Sequence, residues 1–334
     1  MVAFATYLHP QTVYTSKPPN EIEFVGHSLP HFSQIREALA AALADYDSLP
    51  LRRADNDEYA QVHTRQYLDA LAVMAQDRQP AIRPRLSIEC TGMQYCLPGY
   101  AYGLGGMLEA VDHMQRGVLD RAYCFSLGGH HAHADRGHGY CVLNPQAAAA
   151  RYAQAHGFAH ILIVDWDLHH GDGTQSIFAH DPTVYCISIH SAADLYMALA
   201  GGLRHGTTTA AQEVGHCNIP VLSTIFGDDF ATQMNLSGEF YRAAQIMPAF
   251  QSALDNLPWT PDLVMIFSGY DAHRDDGGAG ITEWTNDDFK QLTRMVLDLA
   301  KRAGSPVLSA HGGGYKLPVT VAAAVSHVEA LASY

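Results

Sequence analysis

The chain has 334 residues, of which 48% are apolar and only 16% charged; this excludes a disordered or fibrous protein and fits a folded chain with a large core. Its 34 acidic residues outnumber 20 basic ones, for a formal charge of −14, and phosphate binding needs basic clusters, so nucleic acid is not an expected partner. A cationic substrate suits that field, although an acidic balance is also common in soluble proteins without functional meaning.

Residues 1–10 lack a basic start followed by an apolar run, so no signal peptide is expected. No stretch approaches the ~20 apolar residues of a membrane span. Cys90, Cys96, Cys124, Cys141, Cys186 and Cys217 form no CxxC pair, and several sit inside apolar runs. Buried, reduced thiols in a cytoplasmic protein without a membrane partner are the expectation.

Short apolar runs alternate with helix-like stretches along the chain. In order, the pattern predicts a helix over 104–116, a strand over 121–127, a helix over 145–156, and strands over 161–164 and 184–189. A helix over 238–254, a strand over 263–267, a helix over 286–303, a strand over 306–309 and a helix over 319–333 follow. Strands separated by helices point to a parallel sheet in an α/β fold. No repeat, low-complexity tract or linker interrupts the chain, so residues 1–334 are expected to form a single domain.

Polar and glycine-rich residues follow each predicted strand. They are Gly128-Gly129-His130-His131-Ala132-His133, then Asp165-Trp166-Asp167-Leu168-His169-His170-Gly171-Asp172-Gly173, then His190, then Ser268-Gly269-Tyr270-Asp271-Ala272-His273, and finally His311-Gly312-Gly313-Gly314-Tyr315. In a parallel sheet, ligands bind beyond the carboxyl ends of the strands, where these segments converge. Asp167 and His169 are two apart, so in extended chain their side chains leave one face. With Asp271 they make a His/Asp2 metal site of a kind that suits zinc or another divalent first-row ion.

A bound divalent ion polarises a carbonyl and acidifies water. Hydrolysis also needs a proton shuttle, which His130 and His131 can supply near neutral pH, with Asp165 and Asp172 as orienting acceptors. The Tyr315 hydroxyl, after three glycines, can donate to an oxyanion. His133, His138, His190 and His273 are read by default as surface or core residues. His170, beside His169, is read as structural.

The ordered set Gly129-His130-His131-Ala132, Gly139-Tyr140-Cys141-Val142-Leu143-Asn144, Asp165 to Thr174, Ser188-Ile189-His190, Gly269 to His273 and Gly312 to Tyr315 resembles the histone deacetylase and acetylpolyamine amidohydrolase superfamily. The upstream Val62-His63-Thr64-Arg65-Gln66-Tyr67-Leu68 segment is similar too, and the resemblance runs from about residue 60 to the C-terminus. It implies an arginase-like α/β fold with a central parallel sheet of about eight strands flanked by helices. It also implies zinc on Asp167, His169 and Asp271, a His130–Asp165 pair, and a His131–Asp172 pair in which His131 is general base and then acid. Tyr315 would polarise the amide carbonyl, while Gly139 and Tyr140 would line the substrate tunnel. Structural potassium would occupy an inner site at Asp165, Asp167, His169, Ser188 and Ile189, and an outer site at Phe178, Asp181 and Val184. The implied substrate is a small acylated amine or an acyl-lysine peptide; homo-oligomerisation is left open.

The chain departs from the family pattern in four places. Residues 16–30 lack the usual proline- and histidine-rich pattern. Residues 191–218 lack the usual phenylalanine-proline-glycine run, which leaves Tyr196 as the candidate second tunnel aromatic. Asp276-Gly277-Gly278 stands where Asp-Pro-Leu is common, and His311 stands where Glu or Gly is usual. Two other functions share the fold: a binuclear manganese ureohydrolase and a non-catalytic binder of acylated ligands. The first needs more carboxylate ligands than the chain shows, and Tyr315 with the histidine pair argues against the second.

Overall fold

The computed structural model describes residues 2–22, 29–192, 215–224 and 240–334. In chain order the main elements are β1 (Val2–Tyr7), α1 (Leu29–Ala42), α2 (Asn56–Tyr59), α3 (Arg65–Met74), β2 (Arg85–Leu86), α4 (Leu97–Gln115), β3 (Leu119–Cys124), β4 (Arg136–Gly137) and α5 (Pro145–Ala155). They continue as β5 (Ile161–Asp165), α6 (Asp172–Phe178), β6 (Val184–Ser191), β7 (His216–Val221), α7 (Ile246–Asp255), β8 (Leu263–Ser268), α8 (Asn286–Ala303), β9 (Val307–His311) and α9 (Leu317–Ser333). The fold is α/β, and its central parallel sheet holds seven strands among the described residues: β1, β3 and β5 to β9.

Seven strands replace the about eight expected. Two of them, β1 and β7, are not among the strands expected from the sequence, although Val2, Phe4, Thr6 and Tyr7 of β1 are residue types that favour strands. β7 contains His216, Asn218 and Pro220, and a proline normally demotes a strand to a sheet edge. β2 and β4, two residues each, pair only with one another. The strand expected over 121–127 starts earlier and ends at Cys124. Of the helix expected over 238–254, residues 238 and 239 lie outside the described residues, Tyr241 bridges to Val221, Ala243–Gln245 form a 3-10 turn, and the α-helix begins only at Ile246.

Contacts divide the chain into two compact units. The first holds Met1–Phe158 and Leu308–Gly312. There β1 runs parallel to β3, with Phe4 opposite Arg121 and Tyr7 opposite Cys124. His311, at the end of β9, is buried; its Nδ1 lies 2.7 Å from the Tyr123 hydroxyl and its ring stacks on Phe125 at 4.8 Å. The unusual histidine before the glycines therefore packs in the core. α5 is started by Asn144, whose side-chain oxygen accepts the Ala147 N–H at 2.9 Å.

The second unit holds Ala159–Val307 and Gly313–Tyr334. β5 pairs in parallel with β8 on one side and β6 on the other, and β6 pairs with β7. Every residue of β5 is buried, as befits a strand flanked on both edges and covered on both faces. α8 is amphipathic. Phe289, Leu292, Val296, Leu297 and Ala300 face inward, acids open its first turn, and Lys301 and Arg302 close its last, matching the helix dipole. Its Thr293 hydroxyl meets His327 Nδ1 of α9 at 2.6 Å.

All six cysteines are free and buried. Among the described residues, no helix is long and apolar enough to cross a membrane.

Candidate metal centre and histidine cluster

The end of β5 and the segment after β8 build one site within the second unit. Asp165 closes β5 directly opposite Ser188 of β6 and Phe267 of β8. The chain then turns sharply: Asp165 Oδ1 accepts the Asp167 N–H at 3.0 Å, and Asp167 Oδ1 accepts the His169 N–H at 3.0 Å. These bonds aim Asp167 and His169 at Asp271. His169 Nδ1 lies 3.1 Å from Asp167 Oδ1 and 2.9 Å from Asp271 Oδ2. One ligand atom from each of the three residues falls within 4.8 Å of the others, a grouping that can hold a metal ion.

The site's electrostatics ask for a cation. Asp271 is fully buried; burial, and then the neighbouring Asp167 charge, push its carboxyl up to about 7. Its Oδ1 accepts the Leu168 N–H at 2.9 Å, and its Oδ2 faces His169 Nδ1 at 2.9 Å without meeting it in hydrogen-bond geometry. Burial works against a charged His169, yet the close carboxylates of Asp167 and Asp271 outweigh it and raise the imidazole well above its ordinary value. Two carboxylates and an imidazole with an orphaned buried oxygen fit a divalent ion such as zinc, which would satisfy that oxygen and offset the paired negative charge.

The glycine loop after β9 closes over this cluster. Gly313 donates its N–H to Asp167 Oδ2 at 2.8 Å, and its carbonyl accepts the Tyr270 N–H at 2.8 Å. A Cβ at Gly313 would sit 2.6 Å from Asp167 Oδ2 and 2.9 Å from Asp271 Oδ2, so a side chain there would displace both ligands. Tyr315 follows, 55% exposed, its ring edge-on to His169 at 6.3 Å. Its backbone N–H, and that of Lys316, donate to Asp276 Oδ2 at 3.0 and 2.8 Å.

Of the residues expected to hold potassium, Asp165, Asp167 and His169 belong to the end of β5 and the cluster just described, Ser188 and Ile189 lie on β6, and Phe178, Asp181 and Val184 lie at the end of α6, before β6 and at its start. A Cβ at Gly215 would stand 2.9 Å from the Val184 carbonyl and 3.3 Å from that of Asp181, so these two oxygens converge. Phe178 ends α6 and is buried, and the Asp181 side chain is engaged with the Thr183 N–H at 2.9 Å. His170, read as structural, is buried with Nε2 2.8 Å from Gln175 Oε1, and His190 Nδ1 lies 2.9 Å from the Ser188 hydroxyl. His273 is also buried.

The first unit holds a row of histidines. The His130 and His131 rings lie 4.0 Å apart, His131 lies 5.0 Å from His138, and His138 lies 5.5 Å from His133. All four are buried, so His133 and His138 are core residues rather than surface ones. Arg136 closes the row 3.1 Å from His133 Nε2. Nearby His63 accepts the Asn144 N–H at 2.9 Å, and burial lowers it to about 4, so it stays neutral. Gly139, at φ +60°, lies flat against His131: a Cβ there would stand 2.1 Å from His131 Cδ2. Tyr140 also takes a left-handed φ of +59° and is 40% exposed, while the buried Tyr100 hydroxyl donates to its carbonyl at 3.2 Å. Tyr196 lies outside the described residues.

Sequence reasoning set His138 aside and gave the Asp276 carboxylate no role. Neither has a local signal, because each gains its place from a fold contact distant in sequence or across a loop.

Residues 28–331 match the family described as the histone deacetylase domain, further upstream than the motifs alone reach. Histone deacetylase 6 of Caenorhabditis elegans is 31% identical over 278 residues, covering 80% of this chain and 27% of that protein. Histone deacetylase 15 of Arabidopsis thaliana is 28% identical over 324 residues, covering 93% of this chain and 54% of its own length. The chain thus spans about a quarter to a half of these curated relatives. A crystal structure of an acetylpolyamine aminohydrolase from Burkholderia pseudomallei superposes with a TM-score of 0.75 at 23% identity, covering 98% of each chain, which shows a shared fold. The fold and the domain match over nearly the whole chain place this protein in the histone deacetylase family.

Proposed function

We propose that residues 1–334 act as a single zinc-dependent amidohydrolase domain that removes an acetyl or other acyl group from an acylated amine, such as acetyl-lysine or an acetylpolyamine. The observation that carries this reading is the cluster of Asp167, His169 and Asp271 with the Gly313–Tyr315 loop closed against it. Zinc held by those three residues would polarise the acyl carbonyl and make water a competent nucleophile. His131 takes the proton from the attacking water and returns it to the leaving amine, while His130 holds that water. Asp172 and Asp165 orient the two imidazoles and fix their tautomers. Tyr315 donates its hydroxyl to the carbonyl oxygen as negative charge develops there. Gly139 and Tyr140 wall the acyl-bearing chain, and the net charge of −14 favours a substrate with a cationic remainder. Potassium on the carbonyls around β6 would brace the strand ends that carry the zinc ligands.

The test is a steady-state comparison of acetyl-lysine peptides, acetylputrescine, acetylspermidine and longer acyl-lysines on the zinc-loaded protein, scored by free amine released. At least one is expected to be hydrolysed, with the activity lost to a chelator and restored by zinc. A fully metal-loaded protein that turns over none of them would overturn the reading.

The histidine assignment predicts that His131→Ala loses about 10²–10⁴-fold in kcat, the usual worth of general acid–base catalysis, and that His133→Ala loses much less. Metal content and melting temperature, measured alongside, separate this from misfolding. Near wild-type turnover by His131→Ala would remove the shuttle role.

A further inference from the structure

We propose that Asp276 is a positioning residue for Tyr315, fastening the backbone on both sides of the Tyr315 Cα with one carboxylate oxygen. This rests on the reading of Tyr315 as the oxyanion donor.

Asp276 is presented by a rigid turn that starts at the metal centre. Gly277 donates to the Asp271 carbonyl at 2.9 Å, Asp276 to the His273 carbonyl at 2.9 Å, and Gly278 to the same carbonyl at 3.0 Å. His273 Nδ1 accepts the Asp275 N–H at 3.0 Å, and the His273 ring stacks on Phe289 of α8 at 6.3 Å. Arg274 donates to the Trp284 carbonyl at 2.8 Å. The carboxylate that leaves this turn is therefore fixed relative to Asp271.

Its Oδ2 accepts from Tyr315 N–H at 3.0 Å and Lys316 N–H at 2.8 Å. Both are charge-assisted bonds, stronger than their neutral equivalents. Lys316 reinforces the clasp, its Nζ donating to the Asp275 carbonyl at 2.5 Å. These groups lie where α9 begins; Lys316 is its N-cap and supplies no side-chain cap of its own. A carboxylate is favoured at a helix N-terminus, where backbone N–H groups and the helix dipole present positive charge.

The tether matters because Tyr315 sits at the open edge of the glycine loop. The side chain is 55% exposed, and glycines precede it. Upstream, Gly313 is pinned by Asp167 and Tyr270; downstream, Tyr315 and Lys316 are pinned by Asp276. The chain on either side of the tyrosine is thus tied to two segments that carry zinc ligands, and a hydroxyl must be held to about 0.5 Å to serve the transition state.

Asp276→Ala and Asp276→Asn, each alone and combined with Tyr315→Phe, test the proposal in the zinc-loaded full chain. The measurements are amide exchange over residues 313–316, metal content, melting temperature and steady-state kinetics. Asp276→Ala should speed exchange at Tyr315 and Lys316, keep its metal, and lower kcat by about 10²-fold, the cost of a displacement of about 1 Å. Asp276→Asn, which keeps an oxygen acceptor, should recover much of that loss. In the Tyr315→Phe background Asp276→Ala should cost less than about twofold, because residues acting through one group are non-additive. Unchanged amide exchange, or an equal loss of kcat in both backgrounds, would overturn the proposal. If Tyr315→Phe itself leaves kcat unchanged, the oxyanion role falls, and the exchange rates alone then decide whether Asp276 holds the loop.

Discussion

Asp271→Asn is expected to abolish tight metal binding while leaving the fold in place. The asparagine keeps an oxygen for the Leu168 N–H, which Asp271 now accepts at 2.9 Å, and removes the charge that zinc would neutralise. Loss of a partner behind a metal ligand typically costs 10–100-fold in affinity, and loss of the ligand itself should cost more than about that. Asp167→Asn and His169→Ala should behave alike, and deacetylation should fall to background in all three. Elemental analysis should find one equivalent of divalent metal per wild-type chain and almost none in the variants, at similar melting temperatures. Two equivalents in the wild type, or one retained throughout the series, would remove the three-residue site from the account.

Tyr315→Phe is expected to lower kcat by about 10²–10³-fold with little change in KM, the loss that follows removal of one oxyanion donor elsewhere. The ring stays, so its edge-on contact with His169 at 6.3 Å stays, and metal content should be unchanged. Lost rate with intact metal separates a transition-state donor from a packing residue. A ring that merely covers His169 would leave kcat within about twofold, a difference of only ~0.4 kcal/mol. The exposure of Tyr315 favours the first outcome, since more than half of its surface is open to substrate or solvent rather than engaged in packing.

Local order made much of this protein legible. Ile161 to Val164 is a short apolar run that reads as a covered strand, and the Asp/His cluster begins where it ends, at Asp165. Asp167 and His169 are two residues apart, and their shared direction follows from chain geometry, reinforced by successive side-chain to backbone bonds. The 286–303 helix coincides with α8 because its apolar period and its capping residues agree. The family, too, is written in contiguous motifs and their order.

Tertiary structure decided what depends on partners far along the chain. β7 is a strand because β6 pairs with it, and its own His216, Asn218 and Pro220 do not announce it. His311 is a core side chain because Tyr123 and Phe125, from a strand almost two hundred residues earlier, enclose it. His138 joins the His131 row through a left-handed turn at Gly139 and Tyr140, a backbone state that local propensity disfavours for tyrosine. Asp276 holds the Tyr315 backbone across 39 residues of chain. A sequence displays which side chains are present and how they are spaced; hydrogen bonds between distant segments form only after the loop entropy between them has been overcome, so their partners are set by the whole fold.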